Sequence, residues 1–344
     1  MGPVGPARPE PRPSRLVGLI DAPEPNAIPG HLVIEVTAAG LCGTDAHIYH
    51  DEYPCRPPVI LGHEVAGKIV DVGSGVSRYA AGSSVTAEPY YTLCGLCPYC
   101  KAGMPNHCPQ RASIGSGVNG AFARYVLVPE RSIHLLPDGV DEWAGALTEP
   151  LACCVHALEN SKVEPGDLAV ITGPGAIGLM MLQVVKAAGA RALVIGTDTD
   201  EARLDLAERL GADATLIAGN DDLQNAVAER TEGLGADIAF ECSGAGPGAQ
   251  TALELVRHRG RYVQVGLFGR PVLWDLEQVC IKEVQVQGTF ATVASSWRKA
   301  LALLQTGQLR TGPLISHRLP LDEWQRAFNL FEGREGVKVV FSPE

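Results

Sequence analysis

The feature that most constrains the fold is a regular alternation of strand-like and helix-like segments between residues 168 and 265. Short β-rich runs at Leu168–Thr172, Ala192–Ile195 and Ile238–Glu241 are separated by helix-period stretches such as Ile177–Ala188 and Glu201–Leu210. A repeat of this kind requires a parallel sheet whose two faces are both covered by helices. We therefore predict an α/β domain with a doubly wound parallel sheet.

A glycine motif marks the first strand-to-helix turn of that domain. Gly173, Gly175 and Gly178 form GxGxxG directly after the strand that ends at Thr172. In such a turn the first glycine permits the tight bend, the second lets a pyrophosphate approach the backbone, and the third packs helix against strand. Free N–H groups at the helix start, Ala176 and Ile177, would face the phosphates. The context predicts a dinucleotide site.

An acidic residue at the end of the next strand indicates which dinucleotide binds. Asp198 lies twenty residues beyond Gly178, where a carboxylate would bind the ribose hydroxyls and repel the extra phosphate of NADP. NAD is therefore the predicted cofactor. Arg203 could contact the ribose or tolerate a phosphate. The alternative for Asp198 is a cap for the helix that begins near Glu201.

Two groups of metal-ligating residues differ in composition. Cys94, Cys97, Cys100 and Cys108 lie within 15 residues at spacings that let four thiolates close around one zinc ion. Cys42, His63 and Glu64 mix sulfur, nitrogen and oxygen, which is typical of an open, reactive site. Free thiols on a loop, and a buried structural histidine at position 63, are the alternatives. The sequence predicts one structural and one catalytic zinc.

Composition limits the partners and the compartment. The 344 residues are enough for two domains, and a net charge of −11 argues against nucleic acid as a partner. No apolar run is long enough to cross a bilayer and no secretory signal is recognisable, so no membrane partner is expected. Ten cysteines without such a signal fit reduced or metal-bound thiols in a cytoplasmic protein.

The texture of the chain changes along its length. We predict a disordered Pro-rich segment at 1–14, a β-rich, partly barrel-like domain at 15–150 with the cysteine lobe at 90–110, and the dinucleotide domain at 151–287. Residues 288–344 are expected to return to the first domain. No strong helix-period segment is recognisable before residue 141.

The motifs together resemble a known family. The zinc-containing medium-chain alcohol dehydrogenases share Gly62-His63-Glu64 with Gly67, Val72 and Gly73, the four-cysteine lobe, the glycine motif, Glu241-Cys242-Ser243-Gly244 and Val265-Gly266. Within the family, Gly145–Leu151 resembles the sorbitol (polyol) dehydrogenases and Cys42–Tyr49 the threonine dehydrogenases. The resemblance covers nearly the whole chain after the first thirty residues.

The resemblance implies a fold and a catalytic metal site. A GroES-like catalytic domain is expected beside a Rossmann domain, with Val265 among the residues that bind NAD. The implied catalytic zinc ligands are Cys42, His63 and Glu149, with Glu64 binding directly or through water. Cys153, one helical turn after Glu149, could compete for the metal.

The same resemblance implies a mechanism. Thr44 would take the proton of the alcohol and pass it through the cofactor ribose to His47, while Asp45 would orient His63. Local turn bonding is the alternative for Thr44 and Asp45. The expected reaction is hydride transfer from a secondary alcohol, a polyol or sugar alcohol, to NAD, which gives a ketone.

The substrate stays open, and two alternative functions are considered. Oxidation of L-threonine at C3 is the enzymatic alternative, with Arg56 and Arg298 as candidate anchors for its carboxylate. A catalytically silent zinc protein is the other alternative. Animal sorbitol dehydrogenases carry Arg-Tyr where Phe290 is followed here by Ala291 and Thr292, which argues against sorbitol itself. The family also implies a homo-oligomer, a dimer or a tetramer.

Overall fold

A computed structural model describes residues 17–343, so the predicted disordered segment at 1–14 lies outside the described residues. The strands are β1 (His31–Gly40), β2 (Glu64–Val72), β3 (Ser84–Ala87), β4 (Tyr90–Thr92), β5 (Ala112–Ser113), β6 (Tyr125–Pro129), β7 (Ile133–Leu135), β8 (Leu168–Thr172), β9 (Arg191–Gly196), β10 (Ala214–Ile217), β11 (Ala236–Glu241), β12 (Val256–Gln264), β13 (Gln285–Gly288), β14 (Ile315–Pro320) and β15 (Lys338–Ser342).

The helices connect and cover these strands. They are α1 (Gly43–Tyr49), α2 (Pro98–Lys101), α3 (Glu142–Ala146), α4 (Thr148–Ser161), α5 (Ala176–Ala187), α6 (Glu201–Arg209), α7 (Leu223–Ala228), α8 (Gly246–Leu255), α9 (Leu276–Ile281), α10 (Ala294–Gln305) and α11 (Trp324–Glu332). Across residues 17–343, none of them combines the length and the apolar character needed to span a membrane.

The first sheet has seven strands, in the order β14-β15-β1-β2-β3-β7, with β6 also paired to β1. Its pairs are antiparallel except for β14 with β15, which is parallel. The last two strands therefore belong to the same sheet as the N-terminal ones. At the end of β1, Gly40 faces Glu64 on one side and Val340 on the other. This register brings residues far apart in sequence to one corner of the sheet.

The second sheet has six strands, all parallel, in the order β10-β9-β8-β11-β12-β13. This is the doubly wound arrangement that the strand–helix alternation predicts. The order of the strands reverses between β8 and β11, and ligands of such sheets bind outside the carboxyl ends of the strands at that point. The glycine motif follows β8, and Ser243 and Gly244 follow β11, so both turns lie at this crevice.

One apolar cluster joins the two sheets. It contains Ala38 and Ala66 of the first sheet, Leu151 of α4, Leu179 of α5 and Trp297 of α10, all fully buried. Each buried leucine of this kind contributes roughly 1.5–3 kcal/mol to stability. The packing fixes the cleft between the sheets.

The first domain holds more helix than its periodicity indicates. Helix α1 spans seven residues and α3 five, and two turns are too short to give a recognisable helical period. Their positions matter more than their lengths, since α1 carries Thr44 and His47.

Candidate active site with two metal centres

The four cysteines of the lobe converge as their spacing predicts. One ligand atom from each of Cys94, Cys97, Cys100 and Cys108 lies within 4.8 Å of all the others. The Sγ atom of Cys94 is 3.6 Å from that of Cys108 and 3.9 Å from that of Cys100. Tetrahedral zinc with Zn–S bonds of about 2.3 Å implies S···S separations of about 3.8 Å. The lobe therefore fits a closed four-thiolate zinc site.

Backbone N–H groups help these sulfurs to carry negative charge. The amides of Cys97 and Cys100 donate to the Sγ atoms of Cys94 and Cys97 at 3.3 and 3.4 Å. Donors from Leu96 and Cys97 lower the pKa of Cys94 to about 6. Thiolates are the form that binds zinc, and the loop favours that form at Cys94, whereas burial raises the pKa of Cys100 to about 12.

The second group is built from two separate segments of the chain. Cys42 precedes α1, His63 precedes β2 and Glu64 begins it, and their ligand atoms lie within 4.8 Å of one another. His63 and Glu64 are largely buried, and the side chain of Glu64 is fully so. A thiolate, an imidazole and a carboxylate form a donor set that zinc accepts with a position left for water or substrate.

The carboxylate of Glu64 has one satisfied and one unsatisfied oxygen. Oε1 accepts a hydrogen bond from Lys338 Nζ at 2.6 Å, whereas the buried Oε2 has no hydrogen-bond partner. Such orphaned acceptors are costly, and a metal ion would satisfy this one. Gly40 makes the placement possible, because a Cβ there would lie 1.9 Å from Oε2.

Lys338 was not predicted from the sequence, yet it lies within this centre. Its ammonium is buried and donates to the carbonyl of Leu41 at 2.8 Å and to Glu64. Burial lowers its pKa, but the charges of Glu64 and Cys42 outweigh that effect and the pKa stands above its ordinary value. Lys338 is therefore a buried cation that balances the negative charge of Glu64.

Asp45 holds together the two loops that carry the ligands. It is fully buried and accepts from the backbone amide of Cys42 at 3.0 Å and from that of Gly62 at 3.2 Å. His63 Nδ1 lies 3.7 Å from Asp45 Oδ1, an ion contact longer than a hydrogen bond. The two backbone bonds are the local turn bonding considered above, and orientation of His63 by Asp45 stays a prediction.

Glu149 lies beside this group of ligands. It is buried in the first turn of α4 and lines the same cavity, but it does not belong to the set of ligand atoms within 4.8 Å. The pKa of Glu149 is raised to about 7, mainly by burial. The nearby His63 acts to lower this pKa, and the negative charge of Glu64 acts to raise it. Cys153 donates its thiol to Glu149 Oε1 at 3.7 Å. Metal ligation by Glu149 and competition by Cys153 both stay predictions.

The predicted relay residues line the cavity on α1. Thr44 Oγ1 is 3.8 Å from Cys42 Sγ, and His47 lies one helical turn further on. His47 Nδ1 contacts Glu52 Oε2 at 2.6 Å. The chain turns back after α1, where the amide of Glu52 donates to the carbonyl of His47 at 2.8 Å. This turn places a carboxylate, which the sequence analysis missed, behind the histidine.

The glycine motif has the geometry of a phosphate-binding turn. Gly173 has φ +91°, and a Cβ on Gly178 would lie 1.9 Å from the carbonyl oxygen of Gly173. A Cβ on Gly175 would meet no atom within 4 Å, so its backbone is open to the cleft. Gly173, Gly175, Ala176, Ile177 and Val265 all line the cavity. These residues fit a dinucleotide.

The ribose end of the cleft differs in detail from the prediction. Asp198 is exposed and is not among the residues that line the cavity, whereas Thr197, Asp200 and Arg203 are. The guanidinium of Arg203 donates to Asp200 at 3.2 Å and to the carbonyl of Gly336 at 2.6 and 2.8 Å. Arg203 therefore ties the dinucleotide domain to the C-terminal segment. Ribose binding by Asp198 stays a prediction.

A single cavity of about 770 Å³ joins the mixed ligand set to the glycine turn. It is lined by Cys42 and His63 of the first domain and by Gly173 and Gly175 of the dinucleotide domain. Residues 28–138 match the family described as alcohol dehydrogenase GroES-like domain, and residues 176–306 match that described as zinc-binding dehydrogenase. The chain belongs to the zinc-containing medium-chain alcohol dehydrogenases. It is an oxidoreductase that uses zinc and a nicotinamide dinucleotide as cofactors, as the resemblance implies.

Members of this dehydrogenase family align along almost the whole chain. Sorbitol dehydrogenase of Halalkalibacterium halodurans is 39% identical, with 94% of both chains covered. D-arabitol-phosphate dehydrogenase of Enterococcus avium is 40% identical, covering 94% of this chain and 93% of its own. L-threonine 3-dehydrogenase of Anaeromyxobacter sp. strain K is 34% identical, with 93% of both covered.

A solved structure from the same dehydrogenase family shows the same architecture. A zinc-binding dehydrogenase of Sinorhizobium meliloti 1021, bound to NADP, superimposes with a TM-score of 0.86 at 35% identity and 94% coverage of both chains. The GroES-like domain and the Rossmann domain predicted from the sequence are thereby confirmed.

Proposed function

We propose that this enzyme oxidises a secondary alcohol of a polyol or sugar alcohol to a ketone and transfers the hydride to NAD. The observation that supports the proposal is the shared cavity, which is lined both by Cys42, His63 and Glu64 and by the glycine turn. Two of the aligned relatives are named for polyol substrates, sorbitol and D-arabitol phosphate. Zinc supplies a Lewis acid that lowers the pKa of the alcohol, and NAD accepts the hydride.

The residues of α1 then have distinct tasks. Thr44, next to Cys42, receives the proton from the alcohol oxygen. His47, further along the cavity wall, passes it toward solvent. We add Glu52 to this path, since its carboxylate lies 2.6 Å from His47 Nδ1 and its side chain is 46% exposed. A carboxylate in that place fixes one ring tautomer and stabilises the positively charged ring.

The residues behind the ligands hold the geometry. Asp45 pins the loops of Cys42 and His63 through two backbone amides. Lys338 holds one oxygen of Glu64 and leaves the other for the metal. Outer groups of this kind orient metal ligands and tune their charge. Glu149, buried beside them, would be a further ligand of the metal.

A substrate panel tests the proposal. The zinc-loaded protein is mixed with NAD and with D-sorbitol, D-arabitol, D-arabitol phosphate or L-threonine, and NADH is followed by absorbance. We expect NADH from at least one of the polyols and none from the Cys42→Ser variant, which lacks a metal ligand. Activity with L-threonine alone would replace the polyol proposal by the threonine alternative. Repeating the assay with NADP tests the preference expected from Asp198.

We also propose that the enzyme is a homo-oligomer that pairs through the edge of its second sheet. Strand β13 bonds to β12 alone within residues 17–343, and all four of its residues are exposed. Leu276, Ile281 and Val286 are 62%, 65% and 46% exposed near it. Unpaired edges beside apolar side chains are templates for association. Light scattering after chromatography should give at least a dimer, and Val286→Lys should shift it toward monomer.

The compartment follows from the thiol chemistry, and we propose the cytoplasm. Five of the metal-binding side chains are cysteines that must stay reduced to hold zinc. Growth in an oxidising compartment should therefore lower the zinc content of the purified protein, whereas cytoplasmic expression should not.

A further inference from the structure

A second feature of the cavity concerns the substrate and was not predicted. Arg111 lines the cavity on the wall of the first domain, together with Ser113 and Ser116. Its side chain is partly buried. Within residues 17–343 no carboxylate forms an ion pair with its guanidinium and no acceptor takes a hydrogen bond from it. Removing a cation from water without a counter-ion is costly, so the site is built for an anion that arrives from outside.

The guanidinium is held in place by aromatic rings. Its Cζ atom lies 5.0 Å from the centroid of Phe290 and 5.9 Å from that of Tyr90. Such cation–π contacts use no N–H donor, so the guanidinium keeps its donors for a two-point contact with phosphate or carboxylate. The rings thus fix the group without consuming its donors.

The rings themselves are anchored by the fold. The hydroxyl of Tyr90, which is almost fully buried, donates to the carbonyl of Thr292 at 2.6 Å. Asn106, in the cysteine lobe, donates to the carbonyl of Phe290 at 2.8 Å. The amide of Arg111 donates to the carbonyl of Cys108 at 3.0 Å. The closed zinc lobe is therefore coupled to the position of Arg111.

The other cationic side chains near the cavity are less suited than Arg111 to bind an anionic group of the substrate. Arg203 and Lys338 have their donors occupied by Asp200 and Glu64 and by backbone carbonyls. Arg334 is exposed beside Arg203, at the dinucleotide end. Arg56 and Arg298, the anchors considered from the sequence, are exposed and do not line the cavity.

We propose that Arg111 binds an anionic group of the substrate, so that the preferred substrate is an alcohol bearing a phosphate monoester or a carboxylate. This inference rests on the proposed function and narrows its substrate class. The net charge of −11 disfavours the binding of anions over most of the surface. An anionic substrate would therefore need a local positive charge in the cavity, and Arg111 supplies one. Ser113 and Ser116 supply further donors on the same wall.

Matched substrate pairs test the proposal. D-arabitol is compared with its 1-phosphate, and 1-aminopropan-2-ol with L-threonine, using NAD and the zinc-loaded enzyme. We expect kcat/KM to be at least about 30-fold higher for the charged member of one pair. A preference for the phosphate alone or for the carboxylate alone identifies the source of the charge. Equal values within both pairs would overturn the inference and leave the dehydrogenase proposal standing.

Variants then assign the effect to the residue. Arg111→Gln should lower kcat/KM for the charged substrate by roughly 100-fold and for the neutral member by less than about threefold, and Arg111→Lys should recover part of the loss. Arg124→Gln, at an exposed pair with Glu35, is the matched control and should have no effect. Zinc content verifies that the lobe is intact.

Two outcomes separate the possible failures. An equal loss with both members of a pair, or a matching rise in the KM for NAD, would show that Arg111 supports the lobe or the cofactor, and would overturn the inference. If no alcohol of the panel yields NADH from protein that holds both zinc ions, the proposed function itself fails.

Discussion

The two metal centres of this dehydrogenase are built in opposite ways. The lobe takes all four ligands from residues 94–108, and its free thiols lie close to one another and accept hydrogen bonds from nearby amides. The mixed centre joins Cys42 to the adjacent pair His63 and Glu64 from a second segment, and Lys338, far along the chain, balances the charge of Glu64. A local site can be read from spacing, whereas an assembled one depends on the register of the sheet.

The largest expected effect is on catalysis at the assembled centre. Cys42→Ser removes a thiolate from a site that keeps one position open, so kcat/KM should fall by roughly 10³-fold or more. The zinc content should fall from about two ions to one per chain, with little change in the unfolding temperature. Metal analysis, kinetics and thermal unfolding check this. An unchanged zinc content would contradict the assignment.

Loss of a ligand in the four-cysteine lobe should lower the stability of the protein as well as its activity. Cys100→Ser opens the four-thiolate site, and the free energy of unfolding should fall by about 3 kcal/mol or more because metal binding contributes directly to folding there. Urea unfolding measures it. Cys280→Ser, an exposed cysteine outside both sites, is the control and should leave stability unchanged. A stable Cys100→Ser variant with two zinc ions would refute the closed site.

The buried ion pair between Lys338 and Glu64 should contribute more to stability than an exposed ion pair does. Lys338→Met leaves the carboxylate of Glu64 buried without its cation, and should cost about 3 kcal/mol of stability. Lys186→Met breaks an exposed pair with Asp213 and should cost less than about 1 kcal/mol. The double variant Glu64→Gln, Lys338→Met should regain much of the stability without regaining activity. Urea titrations of the four proteins decide this, and equal losses for the two lysines would count against the buried pair.

The smallest effect concerns the relay. Glu52→Gln keeps a hydrogen-bond acceptor beside His47 but removes the negative charge, so kcat should fall by about tenfold. Glu52→Asp should restore part of it. Proton release, followed with a pH indicator, should slow together with kcat in the Gln variant. Glu35→Gln, a remote exposed carboxylate, is the control, and a kcat equal to wild type in Glu52→Gln would remove Glu52 from the path.

Much of the molecule could be predicted where the signal is local. Strand β8 begins and ends as its residue pattern predicts, because a short apolar run and its flanking turn residues act within one segment. The cysteine lobe and the glycine turn were recognised for the same reason. Helix α1 was missed, since seven residues leave no clear period.

Residues brought in by distant segments could not be found this way. Lys338 lies on β15 and reaches Glu64 on β2 because both strands flank β1. Arg111 enters the cavity because the lobe packs against Phe290. Gly40 gave a hint in the sequence, because a glycine at the end of a strand allows another group to approach the backbone closely. The sequence did not indicate that the group beside Gly40 is the carboxylate of Glu64.

The sequence by itself determined the two-domain plan, the dinucleotide turn and the closed four-thiolate lobe, because each depends on contacts between residues within a turn or two. Only the tertiary structure decided that Glu64, rather than Glu149, lies within 4.8 Å of the ligand atoms of Cys42 and His63, which lysine balances its charge and which arginine lines the cavity. Those choices depend on strand order and on the burial of charge, where the cost of an unpaired group selects partners hundreds of residues apart.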